Sequence, residues 1–130
     1  MAKKKNTLDA LWNEIKRDKE KKFKALKTRH GKLMEVVATH KKELMALKKA
    51  GVEFGTESWK SQVTKHDGSR KQYLRILCPN GSRKYIGCDE DKVKHALASL
   101  KRGQQYKRLE MGIQRAEHEL EKIISNIKEI

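Results

Sequence analysis

The apolar positions of residues 7–50 repeat at alternating spacings of three and four, which is the pattern of a helical heptad seam. Gly31 is the only glycine in this stretch, and proline is absent. A long helix is therefore predicted from Thr7 to Ala50, with Gly51 as its C-terminal cap. Its seam consists of Phe23, Leu26, His30, Leu33, Val37, His40, Leu44 and Leu47.

An apolar cluster precedes this seam in the same predicted helix. Every residue from Lys16 to Lys22 is charged, so the seam is expected to be interrupted there. Residues 1–6 contain three lysines and are predicted to be a disordered basic arm. The members of the cluster are Leu8, Leu11, Trp12 and Ile15.

A second long helix is predicted over residues 89–130. Asp89 is a suitable N-cap, and the acidic side chains that follow it complement the helix dipole. Its two apolar stripes are out of phase, which predicts a kink or break near residues 102–105. The first stripe is Val93, Leu97 and Leu100, and the second is Tyr106, Leu109, Ile113, Ala116, Leu120, Ile123, Ile127 and Ile130.

Residues 56–88 predict three antiparallel strands. The dipeptides Asp67-Gly68 and Asn80-Gly81 favour two-residue hairpin loops, because such turns need positive φ at both central residues. The predicted fold is therefore α+β, a long antiparallel helical hairpin (coiled coil) with a three-stranded β-meander inserted between its arms. Residues 7–130 would form a single domain. This layout resembles that of prefoldin subunits in topology.

The two predicted loops sort the strand residues onto two faces. Trp59 is expected opposite Ile76 and Lys65 opposite Arg70, and successive residues point to opposite sides. The apolar face would then hold Trp59, Val63, Leu74, Ile76 and Tyr85. The other face would hold Lys60, Gln62, Thr64, Lys71, Tyr73, Arg75, Lys84 and Ile86.

Such a cationic face suits a polyanion, although antiparallel sheets also commonly leave one face in water. The chain of 130 residues has a net charge of +15. Residues 1–50 carry +10, residues 51–103 carry +5 and residues 104–130 are neutral. A field of this kind attracts phosphate backbones by counterion release.

A lysine-rich stretch of the first helix supports the same interpretation. Between Lys21 and Lys32 there is no acidic residue, whereas a solvated helix face usually alternates Glu with Lys. Contacts with a nucleic-acid backbone are therefore expected there, a solvated exterior being the alternative. The residues concerned are Lys21, Lys22, Lys24, Lys27, Arg29 and Lys32.

Other chemistry finds little support in the sequence. No stretch has the length and apolarity of a membrane span, and no secretory signal is seen, so a reducing, cytoplasmic location is expected. No catalytic motif is present, and no cofactor is implied. Cys78 and Cys88 with His66 and His95 fit no usual zinc spacing, so no metal is predicted.

Residues 57–102 resemble the arm-type DNA-binding domain of tyrosine recombinases. The resemblance depends on Trp59 in the first strand, Arg75 in the second, Gly81-Ser82-Arg83-Lys84-Tyr85 entering the third, and the helix that begins at Asp89. In that family a three-stranded sheet enters the major groove. The resemblance implies that Lys60, Gln62, Arg75 and Lys84 face the groove, and no recombinase catalytic domain accompanies them.

We therefore expect a non-enzymatic nucleic-acid-binding protein, with double-stranded DNA favoured over RNA and a nucleoid-associated location. Arg75 and Gln62 are the candidates for base reading, because arginine matches guanine and glutamine matches adenine. Two alternatives stay open: a coiled-coil adaptor or chaperone-like protein that binds an acidic partner, and an RNA-binding protein that stacks bases on Trp59 or Tyr73. A homodimer through the helical seams is also expected.

Overall fold

Two long helices and a three-stranded antiparallel sheet make up the fold, and the predicted α+β class is confirmed. The computed structural model describes the backbone of residues 2–63 and 68–130, with side chains from residue 7 onward in these ranges. The sheet lies between the helices in chain order, with strand order β1-β2-β3. The elements are α1 (Ala2–Ala50), β1 (Thr56–Val63), β2 (Arg70–Leu77), β3 (Arg83–Gly87) and α2 (Glu90–Lys128).

The chain forms two compact units. One, the helical unit, comprises Met1–His40 and Gly112–Ile130, and the other, the sheet unit, comprises Lys41–Met111. Both helices contribute to both units. The single domain predicted for residues 7–130 stays a prediction.

The heptad seams are confirmed in the helical unit. From Leu26 to His40 each predicted seam position is buried or half-buried, whereas Phe23 is 43% exposed. Arg29 forms an ion pair of 3.1 Å with Glu119, and a Cβ on Gly112 would lie 3.6 Å from His40 Nδ1. The neighbours on α2 thus descend in number as those on α1 rise, so the helices run antiparallel here. The buried residues of this unit are Val37, Ile113, Ala116, Leu120 and Ile123.

The ends of α1 differ from one another in how well they were predicted. The helix begins at Ala2, ahead of the predicted start at Thr7, and the disorder predicted for residues 1–6 stays a prediction. The reason is that Ala and Lys are good helix formers and no breaker separates them from Thr7. At the other end, Gly51 has φ of 100° and its N–H donates to the Leu47 carbonyl at 3.0 Å, as a glycine cap requires.

The second helix is continuous, so a break near residues 102–105 is wrong, whereas the kink predicted as its alternative stays a prediction. Gly103 serves a different purpose: a Cβ there would overlap the carbonyl oxygen of Glu53. Its missing side chain lets the segment between α1 and β1 lie directly on α2. The Glu53 N–H donates to the Ser99 carbonyl at 3.0 Å, and Arg102 Nε donates to the Gly51 carbonyl.

One face of the sheet packs on the first turns of α2. Leu74 and Ile76 are almost fully buried there, together with Ala96 and Leu100. The α2 stripe predicted from Val93 to Leu100 is thereby confirmed. The predicted apolar face is only partly buried, because β1 extends past the cover of α2. Its other members stay exposed: Trp59 at 43% and Val63 at 59%.

The pairing of β1 with β2 is displaced from the prediction by two residues. Trp59 pairs with Leu74 rather than with Ile76. Because side chains alternate with a period of two, this displacement leaves both faces of β1 and β2 as predicted. The distribution of side chains on these two strands is therefore correct although the register is not.

The loop between β1 and β2 contains residues 64–67, which lie outside the described residues. The placement of Thr64 on the cationic face, the position of Lys65 and Asp67 of the predicted two-residue loop lie there too, whereas Gly68 is described and has φ of 69°. Arg70, predicted to face Lys65, pairs with Val63.

The hairpin between β2 and β3 has a three-residue loop instead of the predicted two-residue loop. The Gly81 N–H donates to the Cys78 carbonyl at 3.0 Å, and the Cys78 N–H donates to the Ser82 carbonyl at 2.8 Å. Gly81 has φ of 86°, whereas Asn80 does not have positive φ. Pro79 therefore occupies the first central position of a type I turn, for which its fixed φ is suitable.

The extra loop residue shifts β3 by one position and exchanges its faces. Lys84 pairs with Ile76, on the buried side of the sheet, and Tyr85 pairs with Arg75 on the other side. The faces predicted for these two residues are the opposite ones, so this prediction is wrong. A shift of one residue reverses every side chain of a strand.

An irregularity in the pairing between Leu74 and Arg75 restores the predicted register at the end of β3. Gly87 lies opposite Leu74, as predicted. Ile86, which was expected on the cationic face, packs against the core that Leu74 and Ile76 form with α2.

Candidate nucleic-acid interface

The side of the sheet that faces away from α2 is cationic and is called the open face. All three strands contribute side chains to this surface, and none of these side chains is acidic. Four of them are cations. The open face consists of Thr56, Ser58, Lys60, Gln62, Lys71, Tyr73, Arg75, Leu77, Arg83 and Tyr85.

Arg75 lies at the centre of this surface. It belongs to the middle strand, with Ser58 opposite it on β1 and Tyr85 opposite it on β3. Its Nε is buried and has no hydrogen-bond partner. A buried donor without a partner costs about 1–3 kcal/mol, so a movement of this side chain that brings its Nε to an acceptor would be favourable.

Two tyrosine rings stack on one another next to Arg75. The ring centroids of Tyr73 and Tyr85 are 6.1 Å apart and their planes differ by 24°. Tyr85 keeps 63% of its surface exposed. The stacked rings lie among the cations, and the exposed Tyr85 ring can contact sugars or bases.

The other cations of the open face surround this centre. Lys60, Lys71 and Arg83 are exposed, and no ion pair holds them among the described residues. Lys60 and Arg83 lie on the two edge strands and Lys71 at the start of the middle strand. Cations free of acidic partners can bind an anion without first breaking a salt bridge.

Lys84 does not belong to this surface. Its Nζ lies 3.5 Å from the Glu53 carboxylate in an ion pair on the other side of the sheet. There it lines an open cleft of about 370 Å³ with Lys92 and His95 of α2. Of the predicted sheet residues, the structure therefore brings together Lys60, Gln62, Lys71, Tyr73 and Arg75 and separates Lys84 from them.

Arg83 and Tyr85 take its place and were missed by the sequence analysis. The signal that could have found them is Pro79, immediately before Asn80-Gly81. Proline favours the first central position of a type I turn, and a type I turn followed by glycine makes a three-residue hairpin loop. That loop places Arg83 on the same face as Arg75.

The predicted cations of α1 do not form one surface. With 3.6 residues per turn, Lys21, Lys24 and Lys32 lie on the side of the helix away from the seam. Arg29 and Lys22 lie along one flank of the seam, and Arg29 is engaged with Glu119 at 3.1 Å. Lys27 lies on the other flank.

Metal-ligating side chains do not cluster in the part of the chain that the structure describes. No cluster of three His, Cys, Asp or Glu side chains there could hold a metal ion. Cys78 is half-buried and Cys88 exposed, and both are free thiols. His66, which the sequence analysis considered with them, lies outside the described residues.

A comparison with protein-family models, with curated proteins and with solved structures found no match. The resemblance to the arm-type domain of tyrosine recombinases therefore stays a prediction. No helix in the described residues has the length and apolarity needed to span a membrane.

Proposed function

We propose that this protein binds nucleic acid, and double-stranded DNA in particular, through the open face of its sheet. It would act by binding alone, without catalysis. The observation that carries the proposal is the composition of the open face: four cations, no acidic residue, and a central Arg75 whose Nε has no partner.

Each part of the open face has a defined task in this proposal. Lys60, Lys71 and Arg83 surround the centre and would bind phosphates, which fixes position without reading sequence. Arg75 and Gln62 would reach base edges, since arginine pairs with guanine and glutamine with adenine in the major groove. Sheets and ribbons that enter a groove are an established mode of DNA recognition.

The outer side of α1 would add contacts of its own. Lys21, Lys24 and Lys32 are exposed and lie on one side of the helix. They would contribute affinity that depends on salt and not on sequence. Arg29, Lys22 and Lys27 would take a smaller part, because they point elsewhere.

The proposal keeps the predicted location but changes the surface through which a homodimer would form. The seams of α1 and α2 pack against each other within one chain, around Val37 and Ile123. A dimer would therefore need another surface. A cytoplasmic, nucleoid-associated location would accompany the binding of DNA.

The test is a titration of fluorescent duplex DNA by anisotropy at two salt concentrations. We expect binding that weakens steeply with salt, by a slope of about 0.9 per phosphate contact. The double variant Arg75→Ala/Arg83→Ala should bind several-fold more weakly. Lys84→Ala/Lys92→Ala is the matched control, because it also removes two cations but from the cleft beside α2.

Two results would contradict the proposal. One is binding that does not change with salt. The other is an equal loss of affinity in both double variants, which would mean that total charge and not the open face is responsible. Circular dichroism of both variants shows whether the fold is retained.

A second candidate function is supported by the tyrosine pair. Tyr73 and Tyr85 stack on one another, and the exposed Tyr85 ring offers a face on which an unpaired base can stack, at about 1–3 kcal/mol per base. In that case single-stranded RNA or DNA would bind more tightly than the duplex, and Tyr85→Ala would remove the preference. A salt slope near zero for both nucleic acids would instead favour an acidic protein partner.

A further inference from the structure

The first four turns of α1 carry an apolar stripe that is largely exposed, although Lys16 Nζ lies 5.5 Å from the centroid of the Trp12 ring. The stripe is formed by Leu8, Leu11, Trp12 and Ile15, which are 66%, 52%, 54% and 38% exposed. The spacing of three and four places all of them on one side of the helix. This N-terminal stripe is a contiguous apolar surface on a chain that is otherwise strongly cationic.

The stripe lies on the same side of α1 as the covered interface of the helical unit, and the charged stretch Lys16–Lys22 separates the two. Ile15, Leu26 and Val37 follow one another at intervals of eleven residues, which is about three helical turns, so they lie on the same side of α1. Val37 is buried at 7% exposure, and Leu26 lines a cleft beside Ile130. The side of α1 that is covered at Val37 is therefore the same side that is exposed along the N-terminal stripe.

The charge around the stripe differs from that of the rest of α1. Residues 7–20 carry three cations and four acids, whereas residues 21–50 carry ten cations and two acids. Two copies of the basic part would repel each other strongly. Two copies of residues 7–20 would not, so self-association is electrostatically possible in this segment of α1.

From these observations we infer that the N-terminal stripe binds the same stripe of a second copy of this chain in an antiparallel helix pair. A two-fold axis between positions 11 and 12 would place Leu8 opposite Ile15 and Leu11 opposite Trp12 of the second copy. All four apolar side chains are then paired with apolar side chains.

The flanking charges fit the same arrangement. Asp9 and Lys16 are seven residues apart and lie on one flank of the stripe. In an antiparallel pair related by a two-fold axis each flank meets its own counterpart. Asp9 of one copy would thus lie near Lys16 of the other, twice in each dimer.

The test measures mass in solution by sedimentation equilibrium, with nuclease-treated protein in high salt and without nucleic acid. The chain mass is 15.1 kDa, and we expect twice that value at high micromolar concentration. Leu11→Glu, and separately Leu8→Glu, should return the mass to that of one chain. Met34→Glu is the matched control: Met34 is 52% exposed, like Leu11, but lies off the stripe.

A second measurement does not depend on these variants. With Trp59→Phe as background, the emission of Trp12 should shift to shorter wavelength as concentration rises, because the indole leaves water. A single-chain mass at every concentration, or a dimer that survives Leu11→Glu and Leu8→Glu, would overturn the inference. The inference does not depend on nucleic-acid binding, so its failure would leave the proposed function intact.

Discussion

The two sides of the sheet share the same strands but differ in what surrounds them. On the buried side, Leu74 and Ile76 pack against α2 and are shielded from water. On the open face, Lys60, Lys71 and Arg83 are exposed and carry no ion pair among the described residues. The first side therefore accounts for stability and the second is available for a ligand, and variants on the two sides should fail in different ways.

The largest effect is expected on the buried side. Leu74 is 0% exposed, so Leu74→Ala should lower the free energy of unfolding by about 2–5 kcal/mol, because a cavity is left in the core. Denaturant titration measures this loss. Val63→Ala is the control on the same side of the sheet, where 59% exposure predicts a much smaller change. Equal losses would contradict the assignment of the core.

A somewhat smaller loss is expected where α2 meets the segment before β1. In Gly103→Ala the new methyl group would collide with the Glu53 carbonyl, which should cost about 1–3 kcal/mol. Gly31→Ala is the control, because nothing lies within 4 Å of a Cβ there. That variant should instead be stabilised by up to about 1 kcal/mol through helix propensity. Thermal unfolding measures both changes: the Tm should fall in Gly103→Ala and rise in Gly31→Ala.

A third variant concerns the loop that decides which residues reach the open face. The Asn80 side chain accepts hydrogen bonds from the Ser82 N–H at 3.0 Å and the Ser82 hydroxyl at 2.6 Å. Asn80→Ala should lower the free energy of unfolding by about 1 kcal/mol, since two local hydrogen bonds are lost. An unchanged stability would mean that the turn does not need this side chain.

How far the sequence predicts this protein differs between helices and strands. The seams were predictable because their apolar spacing continues for several turns without a breaker, and burial at Val37 and Ile123 confirms it. The faces of β1 and β2 were also predictable, because alternation tolerates a shift of two. The break at Gly103 was predicted wrongly, since a glycine required by a neighbouring carbonyl looks the same in sequence as one that ends a helix.

The open face was only partly predictable for a related reason. Its β1 and β2 members follow from alternation, whereas its β3 members depend on a single residue of loop length. With Pro79 included in the loop, Arg83 and Tyr85 belong to the open face and Lys84 does not. The length of the loop before β3 therefore determines which β3 residues lie on the open face. The hydrophobic pattern of this short strand does not determine it.

The most direct test of the central claim compares two neighbouring cations on β3. Arg83 lies on the open face, and Lys84 lies on the buried side beside Glu53. The affinity for duplex DNA is measured against salt for Arg83→Ala and Lys84→Ala. We expect Arg83→Ala to bind several-fold more weakly, with a salt slope smaller by about 0.9, and Lys84→Ala to bind like the unmodified protein. A loss in Lys84→Ala with none in Arg83→Ala would contradict the account.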